Sequence, residues 1–310
     1  MMNGNNRLPL VTIAGAFQNG KSTLVNCLLD DQYAPMGKGL RTTACCSYFF
    51  YGEAEIAKLV HEGKKEEVLE RREMIFDPAF TCSGKDHLEI SCWKPLLQKA
   101  VLADTPGFEA NKQDDEAAMY AIKNSEIVVF VHDTKQLDES ARQILSMVRN
   151  EGKRLLFLLN CKDEQHWHPA DKKNMDLAQV LENQLDEMGW NESLLCIQGR
   201  KVWTCNPVFA WYALGHLQRD LDNCNESIRK DAETQIDTIK FFCKKQSKKD
   251  SGWTDVKIKE LLLATSGILE IRRAIENAAM APIINLCTNP MGEFQAMTEK
   301  WSAQIKSHFN

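Results

Sequence analysis

Residues Gly15 to Ser22 read GAFQNGKS, a glycine-rich run that ends in Lys and Ser. It follows the apolar stretch Leu10, Val11, Thr12, Ile13, Ala14 and precedes a helical pattern from Thr23 to Leu29. A strand that ends in such a turn and feeds a helix aims backbone N–H groups and the positive end of the helix dipole at one small volume, which suits a polyphosphate. Gly15 and Gly20 let the chain wrap the phosphates, Lys21 can reach the β- and γ-phosphate oxygens, and the Ser22 hydroxyl can sit on Mg2+. The run Gly15, Ala16, Phe17, Gln18, Asn19, Gly20, Lys21, Ser22 and Thr23 is therefore expected to line a nucleotide. The bland alternative is a glycine turn between core elements, and the flanking strand and helix argue against it.

Two more clusters bear on which nucleotide. Val101, Leu102 and Ala103 lead into Asp104, Thr105, Pro106, Gly107, and Leu155 to Leu159 lead into Asn160, Cys161, Lys162, Asp163. In an open parallel sheet, ligands bind outside the carboxyl ends of the strands, so all three motifs converge on one crevice. Their order is that of a GTPase, with GTP or GDP and Mg2+ as ligands. Asp104 would hold Mg2+ through a water, and the Gly107 N–H would meet the γ-phosphate. Asp163 would take the two guanine N–H groups that adenine lacks, Lys162 beside it is also expected to line the nucleotide, and Asn160 braces the base loop against the P-loop. In the later loop Thr204, Cys205, Asn206, a backbone N–H could read the guanine O6.

The elements that must position these residues alternate along the chain. After the first strand and helix, Asp30 to Arg41 holds Pro35, Gly37 and Gly39 without periodicity and reads as a switch loop. Thr42 and Thr43 follow, then a strand from Ala44 to Tyr51. In GTPases a threonine here closes over Mg2+ and the γ-phosphate, and its backbone can hold the attacking water. Thr43 is the choice and Thr42 the fallback. Lys58 to Val68 reads as a hairpin turning at Glu62 to Lys64, and His87 to Trp93 alternates like an edge strand. Helices are expected over Asp114 to Asn124 and Ser140 to Asn150, with strands over Glu126 to His132, Arg154 to Leu159 and Val202 to Cys205. Leu177, Val180, Leu181, Leu185 and Met188 form one apolar helical stripe, and Asn206 with Pro207 has the pattern of a helix start.

From Gly215 the chain turns helical and polar. Leu217, Leu221, Ile228, Ala232, Ile236, Ile239 and Cys243 predict one long amphipathic helix, and Gly267 to Ala279 a second. The fold class is α/β, a doubly wound, mostly parallel sheet with a helical C-terminal annex. Residues 1–280 are expected to form the GTPase domain, with a helical insertion about 216–262, and 281–310 a C-terminal helical segment.

Composition narrows the function classes. The chain has 310 residues, 44% hydrophobic and 26% charged, with a net charge of −5, a globular balance and a poor generic binder of nucleic acid. The run Lys244, Lys245, Lys248, Lys249 reads as a solvated turn. Its 11 scattered cysteines show no paired CxxC spacing and read as reduced thiols, and His166 and His168 read as loop residues rather than metal ligands. Met1 to Arg7 is polar, and no apolar run approaches a membrane span. A cytoplasmic protein, at most peripheral at a membrane, is expected.

Several segments resemble the dynamin superfamily, especially its bacterial dynamin-like branch. GAFQNGKSTLVNCLL is similar to that branch's P-loop and first helix, and TTACCSYFFYG to its switch threonine and following strand, which is why Thr43 is favoured. Trp93, Lys94, Pro95, Leu96, Leu97 followed by VLADTPGF resembles the family's most discriminating segment, and a helix beginning Ser266, Gly267, Ile268 resembles its final GTPase-domain helix. The resemblance implies catalysis by Lys21, Thr43 and Gln18. It also implies a monovalent cation (K+ or Na+) held near Gln18 with help from Asn19, and a nucleotide-dependent homodimer. Phe108 stands where small regulatory GTPases carry a water-orienting Gln, and Cys161 where the base motif carries a Lys that stacks on guanine. About thirty residues follow the final helix, short of a membrane-remodelling stalk, so a membrane-associated or larger dynamin-like partner is expected to supply that role. Two other readings stay open: a ribosome- or RNA-associated Era-like GTPase, and a GTP-binding interaction module with little hydrolysis.

Overall fold

The structure is a computed structural model that describes residues 8–35, 45–63, 65–69, 74–75, 80, 86–108, 112–133, 136–163, 165–197, 199–222, 226–247 and 254–288. Among the described residues nine strands form one sheet: β1 (Leu10–Ala14), β2 (Cys46–Tyr51), β3 (Ile56–Val60), β4 (Glu66–Val68), β5 (His87–Cys92), β6 (Val101–Asp104), β7 (Ile127–His132), β8 (Arg154–Asn160) and β9 (Val202–Cys205). Their order across the sheet is β4-β3-β5-β2-β6-β1-β7-β8-β9. The block β6-β1-β7-β8-β9 is parallel throughout, whereas β2 runs antiparallel to β6 and β3 antiparallel to both its neighbours. The α/β, mostly parallel reading of the sequence therefore holds.

Parallel strands covered on both faces must be apolar along their whole length, and β1 (LVTIA) and β7 (IVVFVH) are buried at every residue. One face carries α1 (Lys21–Leu29), α5 (Pro207–Ala213), α6 (His216–Asp220), α7 (Glu226–Ser247), α8 (Asp255–Thr265) and α9 (Ile268–Thr288). The other carries α2 (Lys112–Asn124), α3 (Glu139–Asn150) and α4 (Lys172–Glu187). All five parallel strands end at the same edge, which brings the residues after β1, β6, β7, β8 and β9 together.

Several expectations shift. His87–Cys92 is an interior strand between β3 and β2; its alternation marks one wetter face, and the true edge is β4, whose Glu66, Glu67 and Val68 are all exposed. On α4, Leu181 and Leu185 are fully buried but Val180 is 41% exposed, because it sits a third of a turn off the stripe. The single long helix after Gly215 is two, α6 and α7, and α7 runs on through Lys244 to Ser247 where a turn was read. Asp255–Thr265 forms α8, which the weak periodicity of DVKIKELLLAT conceals, and α9 runs unbroken through position 280 to Thr288. The hairpin of β3 and β4 turns at Gly63 as predicted, with φ 90° there.

Candidate functional site

The P-loop is set by backbone packing before any side chain acts. Gly15 has φ 151°, and a Cβ there would lie 2.2 Å from the Val131 carbonyl oxygen. Gly20 has φ 86°, and its Cβ would meet Asn160 Nδ2 at 2.4 Å. Gly20 is the N-cap of α1 without any side-chain cap, so the helix's first turn turns its amide-rich end toward the cavity. Asn19 is buried, and its amide donates to the Val131 carbonyl oxygen at 3.1 Å. The Asn19 side chain is thereby anchored to β7 through its amide N–H.

Lys21 and Asp104 form the polar heart. The Lys21 ammonium, 6% exposed, donates to the Ala16 carbonyl oxygen at 2.9 Å, and burial lowers its pKa to about 8 against the pull of Asp104. Burial raises the Asp104 carboxyl to about 6, offset in part by Lys21 and by the Ser22 hydroxyl, which donates to Asp104 Oδ2 at 2.8 Å. Asp104 Oδ1 is buried without a hydrogen-bond partner. An orphaned carboxylate oxygen beside a serine hydroxyl is a pair of hard oxygen donors that fits Mg2+.

The segment after β6 is stitched onto the P-loop. Phe17 N–H donates to the Phe108 carbonyl at 3.2 Å, Phe108 N–H to the Gly15 carbonyl at 3.3 Å, and the Thr105 hydroxyl to the Ile13 carbonyl at 2.9 Å. A Cβ on Gly107 would come within 2.5 Å of Phe17 Cα, so that glycine is there for close approach. Phe108 itself is buried and offers no polar group to a water. Thr42 and Thr43 lie outside the described residues.

The base loop is tied down at several points. Asn160 Nδ2 donates to the Asn19 carbonyl at 2.9 Å, the brace read from the sequence. The Lys162 ammonium donates to the Gln18 carbonyl and pairs with Asp133 Oδ2 at 2.5 Å. Cys161 is 3% exposed in the core beneath, and the residue of this motif that lines the cavity is Lys162. Gln18 lies in the left-handed region with φ 64°, and its backbone carbonyl accepts the Lys162 ammonium. Asp163 stands exposed at the rim, where its Oδ1 accepts the Gln165 N–H at 2.8 Å.

Asn206 differs from its expected role. Its N–H donates to the Ser266 carbonyl at 2.9 Å, and its amide donates to the Cys161 and Trp167 carbonyls at 2.9 and 2.7 Å while capping α5. It organises the base loop instead of offering an amide to guanine, and Cys205 beside it is fully buried with its carbonyl taken by Cys161 N–H. His166 pairs with Asp171 at 3.0 Å and His168 stacks on Phe242, both structural roles.

A cavity of about 270 Å3 joins these parts, lined by Gln18, Gly20, Lys21, Ser22, Gly107, Asn160 and Lys162 among others. Residues 11–162 match the Dynamin family profile, from β1 through the base loop. They form a dynamin-superfamily GTPase domain. Dynamin-like protein 2 of Campylobacter jejuni is 26% identical over 160 residues, 50% of this chain and 26% of that protein. An uncharacterized protein from the xynA 3' region of Caldicellulosiruptor sp. is 25% identical over 165 residues, 49% of this chain and 40% of that one. The chain thus spans well under half the length of these relatives. Among solved structures, an oligomerised bacterial dynamin pair, described as a mechanism for long-range sensing and tethering of membranes, covers 97% of this chain and 40% of its own at 17% identity and TM-score 0.47. An Era variant of Aquifex aeolicus bound to GDP and aluminium fluoride covers 65% and 52% at 14% identity and TM-score 0.37.

Sequence reasoning missed Asp133, the counter-ion that orients Lys162. Its signal was available, since it directly follows β7 and so belongs to the same sheet edge as the other motifs. Nothing local marks the residues of α5, α6 and α7 that also line the cavity, because they arrive by packing of distant helices. Among the described residues no helix is long and apolar enough to cross a membrane.

Proposed function

We propose that this dynamin-superfamily domain binds GTP and GDP with Mg2+ and hydrolyses GTP, with two copies meeting across the nucleotide to reach full activity. The observation that carries it is the Lys21, Ser22 and Asp104 group, with Lys21 and Asp104 buried, tied to the base loop by the Asn160 and Lys162 braces. The Lys21 ammonium and the first-turn amides of α1 would neutralise the β- and γ-phosphates, and Ser22 and Asp104 would hold Mg2+, which when bound offsets the charge that develops on those phosphates. Lys162 would flank the base with its aliphatic stem while Asp133 and the Gln18 carbonyl hold its head, and Asp163 would swing from the rim to the guanine edge. Water must be oriented by groups other than Phe108; Thr43 and, across a dimer, the partner copy are the candidates. A membrane-associated or larger dynamin-like protein is the partner this reading carries over from the family.

The buried Phe108 favours one second reading, a GTP-binding module with little turnover. Phosphate release per molecule, measured against protein concentration with Lys21→Ala as the blank, decides between them. A rate per molecule that climbs with concentration supports the dimer-activated enzyme. A rate above the blank but flat removes dimer activation, and a signal equal to the blank leaves the binding module.

A further inference from the structure

The cavity has a second wall that none of the GTPase motifs supplies. Besides the P-loop residues it is lined by Asp231 and Gln235 of α7 and by Asp220 of α6. These residues stand more than forty positions beyond the family match, which ends at 162. The wall is firmly mounted. Before α7, α6 is tied to the end of the P-loop helix, with His216 Nε2 at 3.2 Å from Asp30 Oδ1 and Arg219 at 3.6 Å from Asp31. Further along α7, Phe242 stacks on His168 of the base loop, with ring centroids 5.6 Å apart and planes at 24°, and it also meets Phe209 at 5.3 Å. Ala232, Ile236, Ile239 and Cys243 turn the apolar stripe of α7 into the core. Residues 231 and 235, one turn apart and beside that stripe, then share the cavity side of the helix.

We infer that α7 is part of the nucleotide site, and that Asp231 and Gln235 recognise the nucleoside end of a guanine nucleotide whose phosphates lie on Lys21. This rests on the guanine-nucleotide reading above. The two ends of such a ligand differ in chemistry. The phosphates carry only acceptors and negative charge, while the nucleoside carries donors: the ribose hydroxyls and the guanine N–H groups. A wall with carboxylates from Asp220 and Asp231 repels the first end and suits the second. Gln235 Nε2 donates to Asp231 Oδ2 at 2.9 Å, which orients the carboxylate, and a carboxylate accepts more than one donor. Because α6 and α7 hold both the end of α1 and the base loop, a nucleotide seated against Asp231 would also stiffen the helical annex.

Calorimetry with Mg2+ and GDP on the full chain tests this, using Asp231→Asn and Asp231→Ala beside a control, Asp237→Asn, which makes the same charge change at an exposed position of α7. Loss of a hydrogen bond to a charged group weakens binding about tenfold, so both Asp231 variants should bind GDP about tenfold more weakly, with Asp237→Asn within about twofold of the parent. Nucleotide-free melting temperatures that match the parent place the loss in the site. In the unsubstituted chain, GDP should slow hydrogen exchange at the amides of residues 232–235. If the parent gives no heat with GDP, the nucleotide reading itself falls. If the parent binds GDP while the Asp231 variants bind as tightly and α7 exchange is unchanged, the wall inference alone is overturned.

Discussion

Around Lys21 the cavity is walled by backbone in close contact: a Cβ on Gly107 would lie 2.5 Å from Phe17 Cα, and one on Gly15 2.2 Å from the Val131 oxygen. Around Lys162 it is walled by side chains, with Lys162 38% exposed, Trp167 from the base loop, Val208 and Trp211 from α5 and Asp231 from α7, and the next residue, Asp163, is exposed. The phosphate end is held by the local geometry of strand, turn and helix and has little freedom to change. The base end is held by long-range packing, so single residues there can be exchanged at moderate cost. A phosphate group is the same in every nucleotide and rewards a rigid cradle, whereas the base is the part to be told apart.

The largest effect expected from this contrast is at Lys21. Lys21→Ala removes the charge-assisted contacts to two phosphates and should weaken GTP and GDP binding by at least about a hundredfold in calorimetry. An effect no larger than that of a base-end variant would erase the distinction between the two regions.

The base end should respond more modestly and in a residue-specific way. Lys162→Ala loses the stem beside the base and the tie to Gln18, for an expected loss of about tenfold in GDP affinity. Cys161→Lys, which restores the common residue order of the motif, should not raise affinity. Cys161 is 3% exposed in the core, so a lysine there is buried without a partner and should lower the melting temperature instead. A gain in affinity from Cys161→Lys would show that the base loop can slide by one residue.

Acid and base should act on the phosphate end from opposite sides. Lys21 must be charged to hold phosphate and titrates near pH 8, while Asp104 must be ionised to hold Mg2+ and titrates near pH 6. Affinity for Mg2+ and GDP should therefore be highest between about pH 6 and 8 and fall up to about tenfold per unit outside it. The stability of the nucleotide-free fold should have the reverse sign. The folded state binds the extra proton at Asp104 between pH 3.8 and about 6, so stability falls as pH rises there. The unfolded state holds the extra proton at Lys21 between about 8 and 10.5, so stability rises with pH through that window. Denaturation and binding curves on one sample check both signs, and Lys162→Ala should keep the same two limbs.

The same contrast explains how much was legible in the sequence. β1, the P-loop, β6 with Asp104 to Gly107, and β8 with Asn160 were readable because each is a contiguous strand and turn whose residue types are dictated locally. The Asn160 to Asn19 brace followed from motif order alone. Lys162 at the cavity was named from the sequence, but that Cys161 turns into the core was not readable, since one residue of register at the end of a strand exchanges a buried face for an open one. Asn206 as an organiser was hidden because its partners, Cys161, Trp167 and Ser266, lie 39 or more residues away. The split of α6 from α7 was hidden because the apolar period continues across the break.

The smallest effect on the ligand should come from the contact that joins the two regions from below. Arg272 of α9 donates to the Cys27 and Leu28 carbonyls at 3.1 and 2.9 Å, the C-terminal end of the P-loop helix, where a cation also answers the helix dipole. α6 grips the neighbouring Asp30 and Asp31. Arg272→Ala leaves two carbonyls without that partner but touches neither Lys21 nor the base loop, so it should cost about 1–3 kcal/mol of stability in chemical denaturation. Nucleotide affinity should stay within about twofold, since the amides that face the phosphates are at the other end of α1. If Arg272→Ala instead weakens GDP as much as Lys162→Ala does, the rigid phosphate cradle is not set locally after all, and α9 has to be counted as one of its supports.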